Sequence, residues 1–227
     1  MSAGPSSYYD LETVAQGVAA GEHRRIIGGL WDEMGAHQLD FLISRGLKPE
    51  HRLLDIGCGS LRLGVRAIAW LAPGRYFGSD LSQALIDAGY AAELDDALRA
   101  KAPRDHFAVN DDFDFGFLPE PVDFAIAQSV FTHLPLNHMR RCLARLKGRM
   151  KPGGQALFTY FECPPEADLF QPFTHPPAGV VSHDDRDPYH YRLTDLEWAA
   201  RETGWDFESI GDWGHLRGQR IAAFRHP

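Results

Sequence analysis

The stretch RLLDIGCGSLRLG, residues 52–64, joins an apolar strand to a glycine turn. Leu53–Ile56 carries the run of aliphatic side chains that is typical of a buried parallel strand. Gly57 and Gly59 then end the strand in a turn where no side chain blocks an approaching ligand. Because Asp55 lies directly ahead of this turn, we expect a ligand to bind close to the backbone here.

Outward from this stretch, strands and helices alternate along the chain. The alternation predicts an α/β fold with a doubly wound, mostly parallel sheet. The predicted helices are 11–20, 28–45, 62–71, 82–100, 136–150 and 194–203, and the predicted strands are 52–56, 75–79, 106–109, 122–128, 155–161, 205–210 and 220–225. The first two helices would form an N-terminal cap on the sheet.

A single domain is expected for a chain of 227 residues. We divide it into a helical cap (1–50), a ligand-binding core (51–162), a lid or substrate loop (163–191) and a last helix with a hairpin (192–227). The third part is proline-rich and longer than an ordinary connection, which is typical of a functional insertion.

Composition and charge exclude several classes of protein. The net charge of -8 disfavours unselective binding to nucleic acid or to an anionic membrane. No stretch has the apolar length of a membrane span, and residues 1–10 lack the pattern of a signal peptide. The three cysteines form no CxxC pair. A cytoplasmic protein with reduced thiols is therefore expected, and its oligomeric state stays open.

The glycine spacing argues against two common nucleotide sites. In a GxGxxG dinucleotide fingerprint that began at Gly57, the third glycine would fall on Arg62. The chain also lacks the GxxxxGK[ST] pattern of a P-loop. A ligand without phosphates is favoured.

The order of motifs resembles that of class I S-adenosylmethionine-dependent methyltransferases, and within them most of all bacterial small-molecule O-methyltransferases. The resemblance runs from Gln38 to Phe161. It rests on four pieces in order: Asp55-x-Gly57-x-Gly59, Tyr76–Asp80, Val109–Phe113 and Met150–Gly154. Leu61 stands where the family usually has a third glycine. The resemblance implies a Rossmann-like sheet of seven strands whose last strand, near the C-terminus, is antiparallel.

The cofactor implied is S-adenosylmethionine, with S-adenosylhomocysteine as product. Asp80, at the end of the second strand, can accept both hydroxyl hydrogens of a ribose, although it could instead cap the next helix. Asp55 would orient the ammonium of the ligand, or else bind the N–H groups of the loop. Asp111 or Asp112 would accept from the adenine amine beside Phe113. The cofactor residues expected are Asp55, Gly57, Cys58, Gly59, Asp80, Leu81, Asp111, Asp112, Phe113 and Gln128, with Cys58 a small filler rather than a nucleophile.

The segment after the fourth strand, Gln128–Pro135, is expected to meet the methyl acceptor. It differs from the Asn/Asp-Pro-Pro-Tyr pattern of N-methylating relatives. His133 is the candidate catalytic base, since a hydroxyl acceptor must lose a proton. The alternatives for His133 are a cap on the helix that begins at Leu136 or a surface position. The expected acceptor is a hydroxyl group of a small molecule. The alternative hypotheses are methylation of protein or RNA, and a subunit that binds the cofactor without catalysis.

Seven further residues are candidates for binding the acceptor. They are Trp31, Gln38, Tyr160, Glu162, His190, His215 and Arg217. Each of these residues also has an ordinary structural alternative. Trp31 and Tyr160 could pack in the core, Glu162 could lie at the rim of the crevice, and Arg217 could lie at the tip of a hairpin. The acids and histidines of 181–191 could hold a divalent metal, but they lie bunched in one loop, so no metal site is expected.

Overall fold

The structure, a computed structural model, describes residues 4–227 and confirms the alternation of strands and helices. The helices are α1 (Leu11–Ala19), α2 (His23–Ile26), α3 (Trp31–Ser44), α4 (Gly64–Trp70), α5 (Gln83–Ala92), α6 (Asp96–Lys101), α7 (Leu136–Lys147) and α8 (Leu193–Thr203). The strands are β1 (Leu53–Ile56), β2 (Tyr76–Asp80), β3 (Phe107–Val109), β4 (Val122–Ala127), β5 (Met150–Glu162), β6 (Phe173–His175), β7 (Val180–Ser182), β8 (His190–Tyr191), β9 (Asp206–Gly211) and β10 (Arg220–Arg225). Ser7–Tyr9 forms a short 3-10 turn ahead of α1.

The main sheet has the strand order β3-β2-β1-β4-β5-β10-β9. Strands β1 to β5 pair in parallel, and β10 is antiparallel to both of its neighbours. The predicted seven strands and the antiparallel last strand are therefore confirmed. The short strand β8 adds to the end of β5, and β6 with β7 forms a separate hairpin.

The core lies on both faces of this sheet. In β4, Ala125 and Ala127 pack into one buried cluster, whereas Phe124 and Ile126 pack into the other. This alternation follows from the period of two in a β-strand, and both faces are apolar because helices cover both. The order of the strands reverses between β1 and β4, which creates a crevice at their carboxyl ends.

Several predicted helices differ in their bounds from the observed ones, and for two of them the backbone shows the reason. The helix predicted from Gly28 begins only at Trp31, because Gly28, Gly29 and Leu30 all have a positive φ and leave the helical region. The helix predicted over 82–100 is broken into α5 and α6. Asp95 caps α6 by accepting a hydrogen bond from Leu98 N, which starts a new helix there.

The insertion after β5 packs against the chain rather than projecting from it. The amide of Tyr189 donates to Thr132 O at 2.7 Å, and the Tyr189 hydroxyl donates to Pro5 O at 3.2 Å. The insertion thus joins the segment after β4 to the N-terminal strap, our name for residues 4–9. In residues 4–227, no helix is long and apolar enough to cross a membrane.

Candidate active site

A cleft of about 1040 Å³, its open mouth included, lies at the carboxyl ends of β1, β2 and β4. The glycine turn and the tyrosines Tyr8 and Tyr9 of the strap all line it. The crevice predicted from the strand order is therefore a real cleft in the structure.

The glycine turn places bare backbone at the cleft. Gly57 N and Cys58 N both donate to Ser79 O, which anchors the turn to the end of β2. Gly57 has φ +73°, and a Cβ there would lie 2.4 Å from a methyl carbon of Val130. Leu61, in the place of the third glycine, adopts φ +70° and is fully buried. Core packing thus holds a leucine in a conformation that favours glycine.

Asp80 lies in the cleft and is bonded to the backbone on both sides. Its two oxygens accept from Gly59 N and Ser82 N, each at 2.9 Å. Ser82 is the residue that caps α5, by accepting from Leu85 N. Burial raises the pKa of Asp80, while its bonds to backbone amides act in the opposite direction. Each carboxylate oxygen retains a lone pair for a ligand hydroxyl.

Asp55 is buried at the base of the cleft. The hydroxyl of Tyr76 donates to its Oδ2 at 2.7 Å. Burial raises the pKa of Asp55 to about 7. The loop amides of Gly57 and Gly59 bond to Ser79 and Asp80 instead, so the alternative in which Asp55 binds the loop is not observed. A carboxylate with so high a pKa would be favoured in its ionised form by a ligand cation.

The structure separates the two acids that the sequence left open. Asp111 lines the cleft together with Phe113. Asp112 lies outside it and is half exposed, forming an ion pair of 2.6 Å with Arg145. The hydrogen bond from Arg145 lowers the pKa of Asp112. The expected place of Asp112 at the cofactor is therefore wrong, because its side chain faces α7 and solvent.

The other expected cofactor residues lie in the cleft. Cys58, Leu81 and Gln128 all line it. Burial raises the pKa of the Cys58 thiol well above its ordinary value, which keeps it protonated and agrees with a filler role. These positions agree with the predicted cofactor site, and the roles of the residues stay predictions.

His133 lines the cleft and is held by a carboxylate. Its Nδ1 lies 2.6 Å from Oδ1 of Asp187, whose Oδ2 accepts from the Ser6 hydroxyl at 2.7 Å. Burial opposes ionisation of Asp187, but the bonds from His133 and Ser6 prevail and lower its pKa. The ring of Tyr8 lies edge-on to His133, with 4.9 Å between ring centroids. His133 does not cap α7, which has no side-chain cap at Pro135.

Local hydrogen bonds set the position of His133 and Asp187. After β4 the chain turns sharply at Ser129, which has φ +57°, and His133 N donates to Val130 O. The Tyr189 amide bonds the insertion to Thr132, one residue before His133. Two segments that are far apart in the sequence therefore meet as a histidine–aspartate pair. The sequence analysis missed Asp187, although it noted the density of acids in that loop.

A buried polar network stands behind Gln128, which lines the cleft. Nδ1 of His215 accepts from the amides of Arg217 and Gln219, and burial lowers the pKa of His215 to about 3. His215 is therefore neutral and carries its proton on Nε2, which lies 3.0 Å from the amide end of Gln128. The proton is best accepted by the carboxamide oxygen of Gln128, so the NH₂ group of that side chain is available to a ligand.

Four of the expected acceptor residues are placed elsewhere. Trp31 packs beneath the guanidinium of Arg24, 4.4 Å from the ring centroid. Tyr160 is fully buried in the core, and Glu162 pairs with Arg220 at 3.6 Å. The structure therefore contradicts a cleft position for Trp31, Tyr160 and Glu162. Tyr160 belongs to the buried cluster that also contains side chains of α8, and Trp31 packs against α2.

His190 is the fourth expected acceptor residue that the structure places outside the cleft. It lies within the insertion, where its two ring nitrogens bond to Ser182 Oγ at 2.8 Å and to Leu169 O at 2.9 Å. It is buried there, so its expected contact with the acceptor is also wrong. Gln38 does line the cleft, while His215 lies one layer behind Gln128.

Sequence reasoning missed several cleft residues. They include Ser6, Tyr8, Tyr9, Ile27, Arg62, Asn110 and Ser129. The adjacent tyrosines in an otherwise small and polar N-terminus were the available signal for the strap. Arg62 was noted only as the place of a missing glycine.

Comparisons with known proteins agree with this architecture. Residues 54–156 match the family model of a methyltransferase domain. Among solved structures, the chain is similar to magnesium protoporphyrin IX methyltransferase (ChlM) from Synechocystis PCC 6803 with bound SAM, at a TM-score of 0.63 and 16% identity over 96% of this chain and 97% of that one. It is also similar to the glycopeptide N-methyltransferase MtfA complexed with (S)-adenosyl-L-methionine, at a TM-score of 0.61 and 15% identity over 85% and 94%.

A third similar structure is an amino pentose methyltransferase from Micromonospora echinaspora involved in calicheamicin biosynthesis, with a TM-score of 0.58 and 17% identity over 92% and 95% of the two chains. At such identities, likeness to solved structures shows the fold. The family match supplies the methyltransferase domain from β1 into β5. The chain therefore has the fold of these solved methyltransferases, and residues 54–156 of it match a methyltransferase domain.

Proposed function

We propose that the protein transfers a methyl group from S-adenosylmethionine to a hydroxyl group of a small-molecule acceptor. The observation that carries this proposal is the pair formed by His133 and Asp187 at the cleft, with Nδ1 and Oδ1 2.6 Å apart. A hydroxyl must lose its proton when its oxygen is methylated. An imidazole oriented by a carboxylate is well suited to accept that proton near neutral pH.

The donor set of the cleft fits the cofactor. Asp80 would accept from the ribose hydroxyls, Asp111 would accept from the adenine amine next to Phe113, and Asp55 would face the ammonium. The fold neighbours with S-adenosylmethionine or S-adenosylhomocysteine bound support this assignment. When bound, S-adenosylmethionine supplies a methyl group on a positively charged sulfur and leaves as S-adenosylhomocysteine.

Unpartnered polar atoms also point to a ligand in this cleft. Gln38 and Gln128 are 3% and 8% exposed, and each buries an amide atom that has no hydrogen-bond partner in residues 4–227. Such an atom costs free energy unless a ligand or water satisfies it. Both side chains line the cleft, so a polar ligand is the simplest partner.

His133 would act through its second ring nitrogen. Because Nδ1 carries the hydrogen bonded to Asp187, Nε2 has the free lone pair. In the reaction Nε2 takes the acceptor proton while the acceptor oxygen bonds the methyl carbon and the sulfur keeps the electrons of the broken bond. Asp187 then stabilises the imidazolium that forms. This division of roles follows from the geometry of the pair.

The surroundings of the pair favour a small acceptor. The strap lines the cleft with Ser6 and is bonded to the insertion through the Ser6–Asp187 and Tyr189–Pro5 hydrogen bonds. An acceptor side closed by these two segments would exclude water and limit the size of the acceptor. We propose that segment 163–191 serves as the lid of the acceptor site, in a protein whose charge of -8 gives no general attraction to RNA.

The test is to incubate the protein with methyl-labelled S-adenosylmethionine and an extract of its own cells. We expect label in small molecules, lost with His133→Ala and retained with His183→Ala, a matched change in the insertion. Label in precipitated protein or RNA would show that the acceptor class is wrong. Binding of S-adenosylhomocysteine without any labelled product would instead indicate a non-catalytic subunit.

A further inference from the structure

A buried polar network holds the side chain that follows β4. It joins Gln128 and Ser129 to two buried residues of the loop between β9 and β10, His215 and Gln219. Ser129 N also donates to Thr159 Oγ1 of β5 at 2.7 Å, which ties the same turn to the adjacent strand. The side chain of Gln128 is therefore held from two neighbouring elements of the sheet.

The protons of this network set the orientation of the Gln128 amide. Nδ1 of His215 accepts from two backbone amides, so the proton is on Nε2, 3.0 Å from the amide end of Gln128. Ser129 Oγ accepts from Gln219 Nε2 at 2.9 Å and lies 3.4 Å from the same end of Gln128, to which it can donate its own proton. Two donors meet there, and the carboxamide oxygen is the group that accepts from both.

The NH₂ group of Gln128 is then the end of the amide without a partner among residues 4–227. Gln128 is buried and lines the cleft. A buried donor without a partner costs free energy, which an oxygen atom of a ligand recovers. Because the network holds the carboxamide oxygen, Gln128 presents a donor and not an acceptor to that ligand.

The position of Gln128 in the sheet favours the acceptor over the cofactor. Asp80 and Asp111 follow β2 and β3, whereas Gln128 follows β4. The groups that hold Gln128 come from β5 and from the loop before β10, on the far side of β4 from those acids. Gln128 also begins the turn that carries His133, and both side chains line the cleft. The amide donor and the proposed base thus belong to one short, hydrogen-bonded turn.

We propose that Gln128 is a specificity-determining residue that donates a hydrogen bond to an oxygen atom of the methyl acceptor, and that His215 is the positioning residue that orients this donor. The acceptor then carries a carbonyl or hydroxyl oxygen in addition to the hydroxyl that is methylated. An analogue without this second oxygen leaves the amide donor unpaired and is rejected. The inference rests on the proposed function, and it assigns the side chain of Gln128 to the acceptor although the sequence pattern favoured the cofactor.

The test titrates the small-molecule fraction of the cell extract against protein saturated with methyl-labelled S-adenosylmethionine. Gln128→Glu keeps an oxygen for His215 and replaces the NH₂ donor by a second oxygen. The amount of extract that gives half-maximal transfer should rise about tenfold or more, while the affinity for S-adenosylhomocysteine stays within about twofold of wild type. Gln155→Glu changes an equally buried glutamine that contacts Arg45 outside the cleft. It is the matched control and should change neither value.

Two replacements test the positioning role of His215. The side chain in His215→Asn has an oxygen that can accept from the same backbone amides but no group that reaches Gln128, so the half-maximal amount should rise about three- to tenfold. The longer amide in His215→Gln carries an N–H near the place of Nε2 and should restore most of the wild-type value. Equal losses in both variants would show that the imidazole serves only the packing of the loop.

The remaining outcomes separate this inference from the proposed function. An unchanged half-maximal amount in Gln128→Glu refutes the assignment, and so does an equal loss of affinity for S-adenosylhomocysteine, because Gln128 would then serve the cofactor. If Gln128→Glu does not fold, the two His215 variants decide by the same readout. If the wild type transfers no label to small molecules, the proposed function fails and the assignment to the acceptor fails with it.

Discussion

Asp187→Asn tests the catalytic pair with a minimal change of shape. The variant keeps a carbonyl oxygen that can accept from Nδ1 of His133 but removes the negative charge beside the imidazolium. At about 4 Å between charge centres and an effective dielectric constant of about 20, the attraction is about 4 kcal/mol. Since the side chains of His133 and Asp187 are 29% and 18% exposed, solvent screening reduces this to about 2 to 3 kcal/mol.

A loss of that size in the transition state predicts that turnover falls about 30- to 150-fold. The assay is the initial rate of label transfer from saturating S-adenosylmethionine to the small-molecule fraction. The affinity for S-adenosylhomocysteine should stay within about twofold, because Asp187 is not among the residues that line the cleft. Asp184→Asn, an exposed acid in the same loop, is the matched control and should keep the wild-type rate.

Two outcomes would refute this reasoning. One is an Asp187→Asn variant that keeps more than half of the wild-type rate while His133→Ala is inactive, because the carboxylate would then have no electrostatic role. The other is an equal loss in Asp184→Asn, which would point to a general effect of charge on the loop. A weakened affinity for S-adenosylhomocysteine would instead indicate that Asp187 supports the fold of the cleft.

Three more outcomes are expected. Asp80→Asn should lower the affinity for S-adenosylhomocysteine about tenfold or more in calorimetry. Asp112→Asn, which lies outside the cleft, should leave this affinity unchanged. Burial raises the pKa of Asp55 to about 7, and the ligand ammonium requires the ionised carboxylate, so the affinity for S-adenosylhomocysteine should fall about tenfold from pH 8 to pH 6. Asp55→Asn should abolish this pH dependence, and a pH-independent affinity of the wild type would contradict the reasoning. Gly57→Ala should lower the Tm by several degrees through its positive φ and its contact with a neighbouring side chain, whereas Gly148→Ala, which has open space, should not.

The cofactor side of the cleft was largely predictable because its residues are close together in the sequence. Asp55, Gly57 and Gly59 belong to one strand and its turn, and Asp80 ends the adjacent strand. Parallel strands bring such chain positions to one edge of the sheet whatever the side chains elsewhere. The motif order alone was therefore enough to predict the fold and to bring these residues to one edge of the sheet.

The choice between Asp111 and Asp112 needed the structure. The two acids are adjacent and chemically alike, so the sequence offered no basis for a choice. Phe113 adopts φ +64°, and the side chain of Asn110 accepts from the amides of Asp112 and Asp114, which fixes the turn. Arg145 of α7 forms an ion pair with Asp112 and holds its side chain outside the cleft. These contacts depend on elements that the local pattern does not contain.

The acceptor side was decided by the tertiary structure. His133 was a candidate from its place after β4, but its partner Asp187 lies 54 positions along the chain, in an insertion of irregular pattern. Tyr160 and His190 were expected at the acceptor and are instead buried in packing. The sequence by itself determined the features that depend on local pattern. These are the parallel sheet, the glycine turn without side chains, and Asp55 beside that turn. The folded chain alone decided which distant side chains meet there, because long-range packing and hydrogen bonds, rather than local backbone preference, set those contacts.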